Sequence, residues 1–460
     1  MNKTSRLQRR RYIKSISPAM VAVLVIGGIM ILMAGCVSQQ TSTTTPTTST
    51  TKKQELFEKA PVSSQEFETP DILRASEILP PEMLEGENYN VHEDVLTYGF
   101  TNYYTVMSPF GTFEAEGDDM LRTRIHEIKA IDALEEIKKT NAFGEAVKKA
   151  AKSPIMGAKA LITNPVATVK GVPKGVGRFF GRIGEMTKGG RGDQEEGYTK
   201  ELIGFSAVKR QYAHKLGVDV YSSNEALQKD LNSVSWAGFA GGLTVTVAMM
   251  PIKGASEAAY FSILGTKLVH GMNQILLDNS PEDLRKLNRK KLKQIGVKDS
   301  VIKEFIKHPK YSPRHTTILV HALAEMEGVK SRDQFIKQAL FAETELDAFV
   351  FQRIAEMLYG YHTQVKPITE IIPIRRIAVG YTDDQTIAIT LPTDYVYWTK
   401  RAALGLESIT RLHSGERTVQ RTELWVTGRL TPRAKRELEA KGLIIKEQIG
   451  ERLMPPSTQE

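Results

Sequence analysis

Cys36 is the only cysteine in a chain of 460 residues, and this excludes two of the devices that hold loop-rich folds together. No disulfide can form within the chain, and no thiolate cluster can hold a metal. The fold must rest on its apolar core, for which 41% hydrophobic residues supply enough surface. The position of the cysteine is as informative as its number. Six basic residues (Lys3, Arg6, Arg9, Arg10, Arg11 and Lys14) precede an uncharged run from Pro18 to Gly35. That run closes on Leu32-Met33-Ala34-Gly35-Cys36.

A basic head, an apolar middle and a small-residue exit form the pattern of a segment read by export machinery, so residues 1–35 read as a signal peptide. Leu32 to Cys36 resembles the lipobox of bacterial lipoproteins, with Met33 where Leu is usual. The resemblance implies a diacylglycerol on the Cys36 thiol, cleavage just before it and acylation of the new amine. Two or three acyl chains anchor stably where one is marginal. Val37, and not Asp, follows the cysteine, which implies sorting to the outer membrane with the body facing the periplasm. An uncleaved anchor is the alternative, because eighteen apolar residues lie at the short end of the ~17–25 that span a bilayer. Either reading leaves the basic flank inside and the body outside the cytoplasm. Gln8 to Lys14 also resembles the twin-arginine export signal, which would imply folding before export.

The formal charge of +9 belongs largely to this segment. Its removal takes six basic residues and no acid, leaving 56 basic against 53 acidic residues. Nucleic acid is therefore not an expected partner. The partners expected are the membrane, through the lipid, and an anionic lipid or envelope protein.

Downstream patterning predicts an α+β fold, mostly helical. Residues 36–90 read as a lipidated flexible tether, because Thr41 to Thr51 is Thr, Ser and one Pro and the stretch after it is Pro- and Glu-rich. Over 91–141 a β-hairpin turns at Ser108-Pro109-Phe110-Gly111 and leads into a helix over 118–140 with Leu121, Ile125, Ile128, Leu134 and Ile137 on one stripe. Residues 142–272 form a Gly-rich basic and apolar helical region. A helical bundle is expected over 273–370, with N-cap signals at Ser280, Ser312 and Ser331. A small α/β domain follows over 371–449 in the order β-β-α-β-α-β with some parallel pairing, and 450–460 reads as a disordered tail. Leu231 to Ile252 carries no charge and is long enough to span a bilayer. Its glycines, Ser and Thr favour a buried core helix or helix pair.

No catalytic residue set is found. His126-Glu127 begins a zinc-protease helix pattern, but Ala130 stands where the second histidine belongs, and Gly204-Phe205-Ser206 lacks the closing glycine of a nucleophile elbow. No metal site or cofactor is expected. One constellation does stand out: Lys170, Lys174, Arg178 and Arg182 recur every four residues and form one ridge on a helix. Valines, phenylalanines and Ile183 fill another face, and interior glycines costing ~1 kcal/mol each leave such a helix weak alone. A lipid surface would compensate, at ~1 kcal/mol per basic residue near anionic headgroups; packing on the body is the other reading. A second anion site is expected at Gly428 and Arg429, where a strand meets a helix N-terminus. The function expected is a non-catalytic, lipid-anchored envelope protein that binds a partner or contacts the membrane surface. Its alternatives are an envelope enzyme with dispersed active-site residues acting on cell-wall or lipid material, and a membrane-inserting, lipid-handling protein that uses 142–272.

Overall fold

Leu73 opens a short strand, β1 (Leu73–Arg74), well inside the stretch that the sequence assigns to the tether. The computed structural model describes residues 66–152, 195–244, 267–413 and 418–454, almost all within one unit that begins at Thr69. Two helical turns, α1 (Ala75–Ile78) and α2 (Pro81–Leu84), lead to strands β2 (Glu85–Gly86), β3 (Tyr89–Val91) and β4 (Asp94–Thr97). The tether expectation is corrected here: Ala75, Leu79, Met83 and Tyr89 are buried in the first core cluster. Apolar residues every fourth position place one face of these turns inward, and Pro81 takes the first position of α2, where its missing N–H costs nothing.

The N-terminal sheet is organised around β5 (Asn102–Ser108). Along one edge β5 pairs first with β4 and then with β3, and along the other with β6 (Gly111–Glu116), all antiparallel. The Ser108–Gly111 turn lies where the sequence placed it. The helix α3 (Asp118–Lys138) then runs as a spine through two cores. Its first half buries Leu121, Ile125 and Ile128 against Val95, Tyr104 and Val106. Its second half buries Ile131, Leu134 and Ile137 against Tyr212, Leu227, Leu231 and Val234.

Those partners come from α5 (Glu195–Lys215) and α6 (Glu225–Gly241), which follow α4 (Asn141–Ala151). The uncharged stretch from Leu231 is a buried core helix as far as Gly241, with Leu231, Val234 and Ala237 fully buried. It packs on α4 so closely that a Cβ at Gly241 would lie 2.1 Å from the Ala146 carbonyl oxygen. Among the described residues, no helix is long and apolar enough to cross a membrane.

The helical region comprises α7 (Lys267–Asp278), α8 (Pro281–Gln294), α9 (Asp299–Ile306), α10 (Pro313–Ala324), α11 (Arg332–Ala339) and α12 (Glu345–Gln364). Ser280 and Ser312 cap α8 and α10 with their side chains, each followed by proline. Thr344 and Asp347 form a reciprocal capping box on α12. Ser331 departs from the expectation: it sits before α11 at φ 59° and makes no side-chain cap.

The C-terminal sheet contains β7 (Ile368–Ile374), β8 (Ile377–Thr382), β9 (Thr386–Leu391), β11 (Arg421–Val426) and β13 (Leu443–Lys446), in the order β13-β11-β9-β8-β7. The three strands β9, β11 and β13 are parallel, while β7 and β8 add antiparallel. The order expected from the sequence omits β7, and Arg375 is the left-handed corner between β7 and β8 at φ 50°. The chain stays extended through β10 (Tyr395–Val396), which pairs with β12 (Arg429–Leu430), before α13 (Lys400–His413) begins. Between β12 and β13 lies α14 (Pro432–Glu439).

One core joins the helical region to this sheet. Phe305, Phe335, Met357 and Tyr361 share a cluster with Ile371, Ala378, Ala388 and Trp425, so no core boundary falls near 370. A final turn, α15 (Gly450–Leu453), closes it with Leu453 buried. The expected disordered tail is thus corrected at its start: Gly360 lies so near this turn that a Cβ would come within 1.7 Å of the Leu453 carbonyl oxygen.

Candidate functional site

A charged cleft lies where α3, α10, α12 and the segment after α5 converge. Helical spacing explains its walls. Asp119, Thr123 and Glu127 recur every four residues on α3, and Glu345, Phe349, Gln352 and Arg353 share one face of α12. Arg314 and His315 come from the first turn of α10, just after its Ser312 cap. Asp219, Ser222 and Ser223 come from the segment between α5 and α6. The space within this open cleft is about 50 Å³, room for roughly three to five waters or a ligand of few heavy atoms at ~10–15 Å³ per water.

Most charges in this cleft are tied to one another. Glu127, whose side chain is 2% exposed, accepts hydrogen bonds from the Ser222 hydroxyl, from Asn224 Nδ2 at 2.9 Å and from Arg124 Nη1 at 2.6 Å. Asn224 in turn caps α6 through Oδ1, so this carboxylate fixes the entry of α6 against α3. Arg353 is buried and donates Nε and Nη2 to Asp119 Oδ2 at 2.9 and 2.7 Å, and Nη1 to Glu356 Oε2 at 3.1 Å. The Arg353 guanidinium holds the Asp119 carboxyl below its ordinary value against the opposing pull of burial. Such satisfied pairs position helices; one partner removed leaves the other buried and costly.

Four groups are less fully engaged. Arg314, with an 11% exposed side chain, approaches Asp219 Oδ2 only to 4.0 Å, beyond hydrogen-bond range. Asp219 accepts from the Tyr221 N–H at 2.9 Å, and burial pushes its carboxyl up against the pull of Arg314 and that N–H. His315 Nδ1 and Gln352 Oε1 are buried and have no hydrogen-bond partner among the described residues. Burial, aided by the adjacent Arg314, pushes the His315 imidazole down to about 3, so it is neutral.

A second concavity lies beside the first and shares Asp119 and Phe349 with it. Its floor is a carboxyl pair. Asp394 Oδ2 accepts the Asn102 N–H at 2.7 Å and Oδ1 the Asp118 N–H at 3.1 Å. Asp118 accepts from the Tyr104 hydroxyl at 2.5 Å. Burial raises both carboxyls, and the Asp118 charge raises Asp394 further.

The residues singled out from sequence fall apart in space. Cys36 and the ridge of Lys170, Lys174, Arg178 and Arg182 lie outside the described residues. Gly428 borders the second concavity, which also holds Glu116, Asp118 and Asp394, so the surroundings there are acidic, and its close approach to the backbone leaves a Cβ only 1.9 Å from the Asp394 carbonyl oxygen. Arg429 Nε and Nη2 donate to the Gln448 side-chain oxygen at 3.0 Å each. The anion at this turn is internal: Glu447 accepts the Leu430 N–H at 2.7 Å and Lys435 Nζ at 2.8 Å. The turn after Gly428 and Arg429 thus already holds a carboxylate of its own chain.

Sequence reading missed the cleft because its residues come from four segments, and catalytic motifs are local. A signal did exist in α12, where Gln352, Arg353 and Glu356 interrupt an apolar stripe and are all buried. Among the described residues, no group of three or more His, Cys, Asp or Glu side chains is placed to hold a metal ion. No family model, curated protein or solved structure matches this chain.

Proposed function

We propose that this protein is a lipid-anchored component of the bacterial cell envelope, held at the outer membrane through Cys36 and acting by binding. The observation that carries the anchor is the charge-free run ending in Ala34-Gly35-Cys36, with the only thiol of the chain at the attachment position. Binding is favoured over catalysis because Asp119, Glu127 and Arg353 in the cleft are engaged with one another or with fixed neighbours. The basic ridge from Lys170 to Arg182 would add contact with anionic lipid, which screening over ~8 Å at physiological ionic strength would weaken. Metabolic labelling with a radiolabelled fatty acid tests the anchor: wild type should take the label and Cys36→Ser should not. Equal labelling of the two would remove this reading.

A second reading, an envelope enzyme, is favoured by one observation. Asp219 is a carboxyl raised by burial beside an arginine in a cleft, the kind of group that serves as a general acid. Purified cell-wall sacculi and phospholipid vesicles are the substrates to test. Soluble products released by wild type and not by Asp219→Asn would establish turnover and displace the binding reading.

A further inference from the structure

We propose that the cleft between α3, α10 and α12 binds a small zwitterion carrying a carboxylate and a primary ammonium group, of the size of a free amino acid. The proposal rests on the reading of the body as a binding module and names what it binds.

Arg314 supplies the anionic half. Its side chain is 11% exposed and its closest carboxylate stands at 4.0 Å, whereas Arg124 and Arg353 in the same cleft are hydrogen-bonded to carboxylates at 2.6 to 2.9 Å. A guanidinium presents five donors in a planar fork that fits a carboxylate. Most of the Arg314 fork is uncommitted, and it is the group that a ligand carboxylate would meet. The cationic half follows from the acceptors. Asp219 holds one N–H, and Glu345 stands at the exposed mouth of the cleft. Gln352 Oε1 is a buried acceptor and His315 Nδ1 a buried ring nitrogen, both without partners among the described residues. A neutral imidazole offers one acceptor nitrogen, and leaving such groups unpaired is costly. An ammonium group brings three donors and neutralises Asp219.

Charge argues against the two simpler ligands. A plain anion would satisfy Arg314 but would bring a second negative charge beside Asp219. A plain cation would satisfy Asp219 and leave the Arg314 fork facing nothing it can donate to. A zwitterion lying alongside this loose pair, its carboxylate on Arg314 and its ammonium on Asp219, serves both ends at once. The space of about 50 Å³ in the cleft suits the few heavy atoms of an α-amino acid backbone beside Arg314 and Asp219.

Calorimetric titration of the full-length protein in nonionic detergent decides the matter, with glycine, L-alanine, acetate, methylamine and glucose as probes. Glycine or L-alanine should bind one-to-one, and acetate or methylamine alone should bind about ten- to hundredfold more weakly, the factor expected for losing charged hydrogen bonds. Arg314→Gln should weaken L-alanine binding by a similar factor. A readout on wild type needs no variant: acetate and methylamine added together in excess should displace L-alanine. Acetate binding as tightly as alanine would overturn the proposal in favour of an anion site, and methylamine doing so would overturn it in favour of a cation site. Glucose binding, or no binding by any probe at about 10 mM, ten times a millimolar Kd, would also overturn it. These failures leave Cys36 labelling untouched. Conversely, consumption of bound amino acid would keep the ligand class and remove the reading of the body as non-catalytic.

Discussion

The Asp394 carboxylate accepts the backbone N–H of Asp118, 276 residues earlier in the chain, at 3.1 Å. Asp118 is the first residue of α3, and Gly117 before it has no side chain with which to cap the helix. Asp394 therefore acts as the cap from across the fold, and its other oxygen holds the first residue of β5 through Asn102. The start of β5, the start of the spine helix and the C-terminal region are fixed by one carboxyl group.

Asp394→Ala should therefore cost about 1–3 kcal/mol, the penalty of leaving buried donors without a partner, measured by urea unfolding. The pH dependence has a definite sign. Asp394 has a raised carboxyl in the folded protein, so its contribution is complete below its unfolded value and is lost as pH rises through the folded one. The stability gap between wild type and Asp394→Ala should be wider in mild acid than at neutral pH. A gap that widens toward neutral pH would show the carboxyl to be held in its charged form.

Three histidines set the acid limit of the fold. Burial pushes His126 and His321 down to about 4 and His315 to about 3. Each is neutral when folded and gains a proton on unfolding below the ordinary value of ~6.5. Stability should thus fall as pH drops from ~6.5 toward 4, because the unfolded chain binds the protons. His321→Leu, which also removes a buried Nε2 without a partner among the described residues, should flatten this slope. Melting temperatures of both proteins across that pH range check it; parallel curves would mean that His321 is not among the groups responsible.

Gly360 is the contact point for the last turn. A methyl group there would meet the Leu453 carbonyl oxygen at 1.7 Å, so Gly360→Ala must push α15 off α12. The cost should be about 1–3 kcal/mol, as for other overpacking changes. Hydrogen exchange at the Leu453 and Met454 amides, which bond to the Ile449 and Gly450 carbonyls, should then be faster in the variant than in wild type. Equal exchange would mean that Gly360 does not hold this turn in place.

The elements legible in the sequence were those whose signals are local. The Ser108–Gly111 turn, the apolar stripe of α3 and the proline-supported caps at Ser280 and Ser312 each need only a few adjacent residues, and each fell where expected. The helical region over 273–370 and the alternation of strands and helices over 371–449 were legible for the same reason. The strand β7 was hidden because Pro373 and the corner at Arg375 break the pattern of alternation, and its pairing with β8 supplies the hydrogen bonds that local propensity does not.

What only the tertiary structure decided was which polar residues meet. Asp119, Asp219, Arg314 and Gln352 look like ordinary surface residues of separate segments, and nothing in their spacing along the chain relates them. They converge because α10 and α12 share one apolar core and the Arg353–Asp119 pair ties α12 to α3, whose apolar residues belong to the other cores. The same packing turned 73–90 from an apparent tether into part of the first core, since its few apolar residues gain value only against β5 and α3. Sequence alone determined the proposed address of the protein, because an export signal and a lipid-attachment cysteine are read as linear strings before any fold exists. The cleft depends on contacts between residues more than two hundred positions apart, and such contacts exist only once the chain has folded.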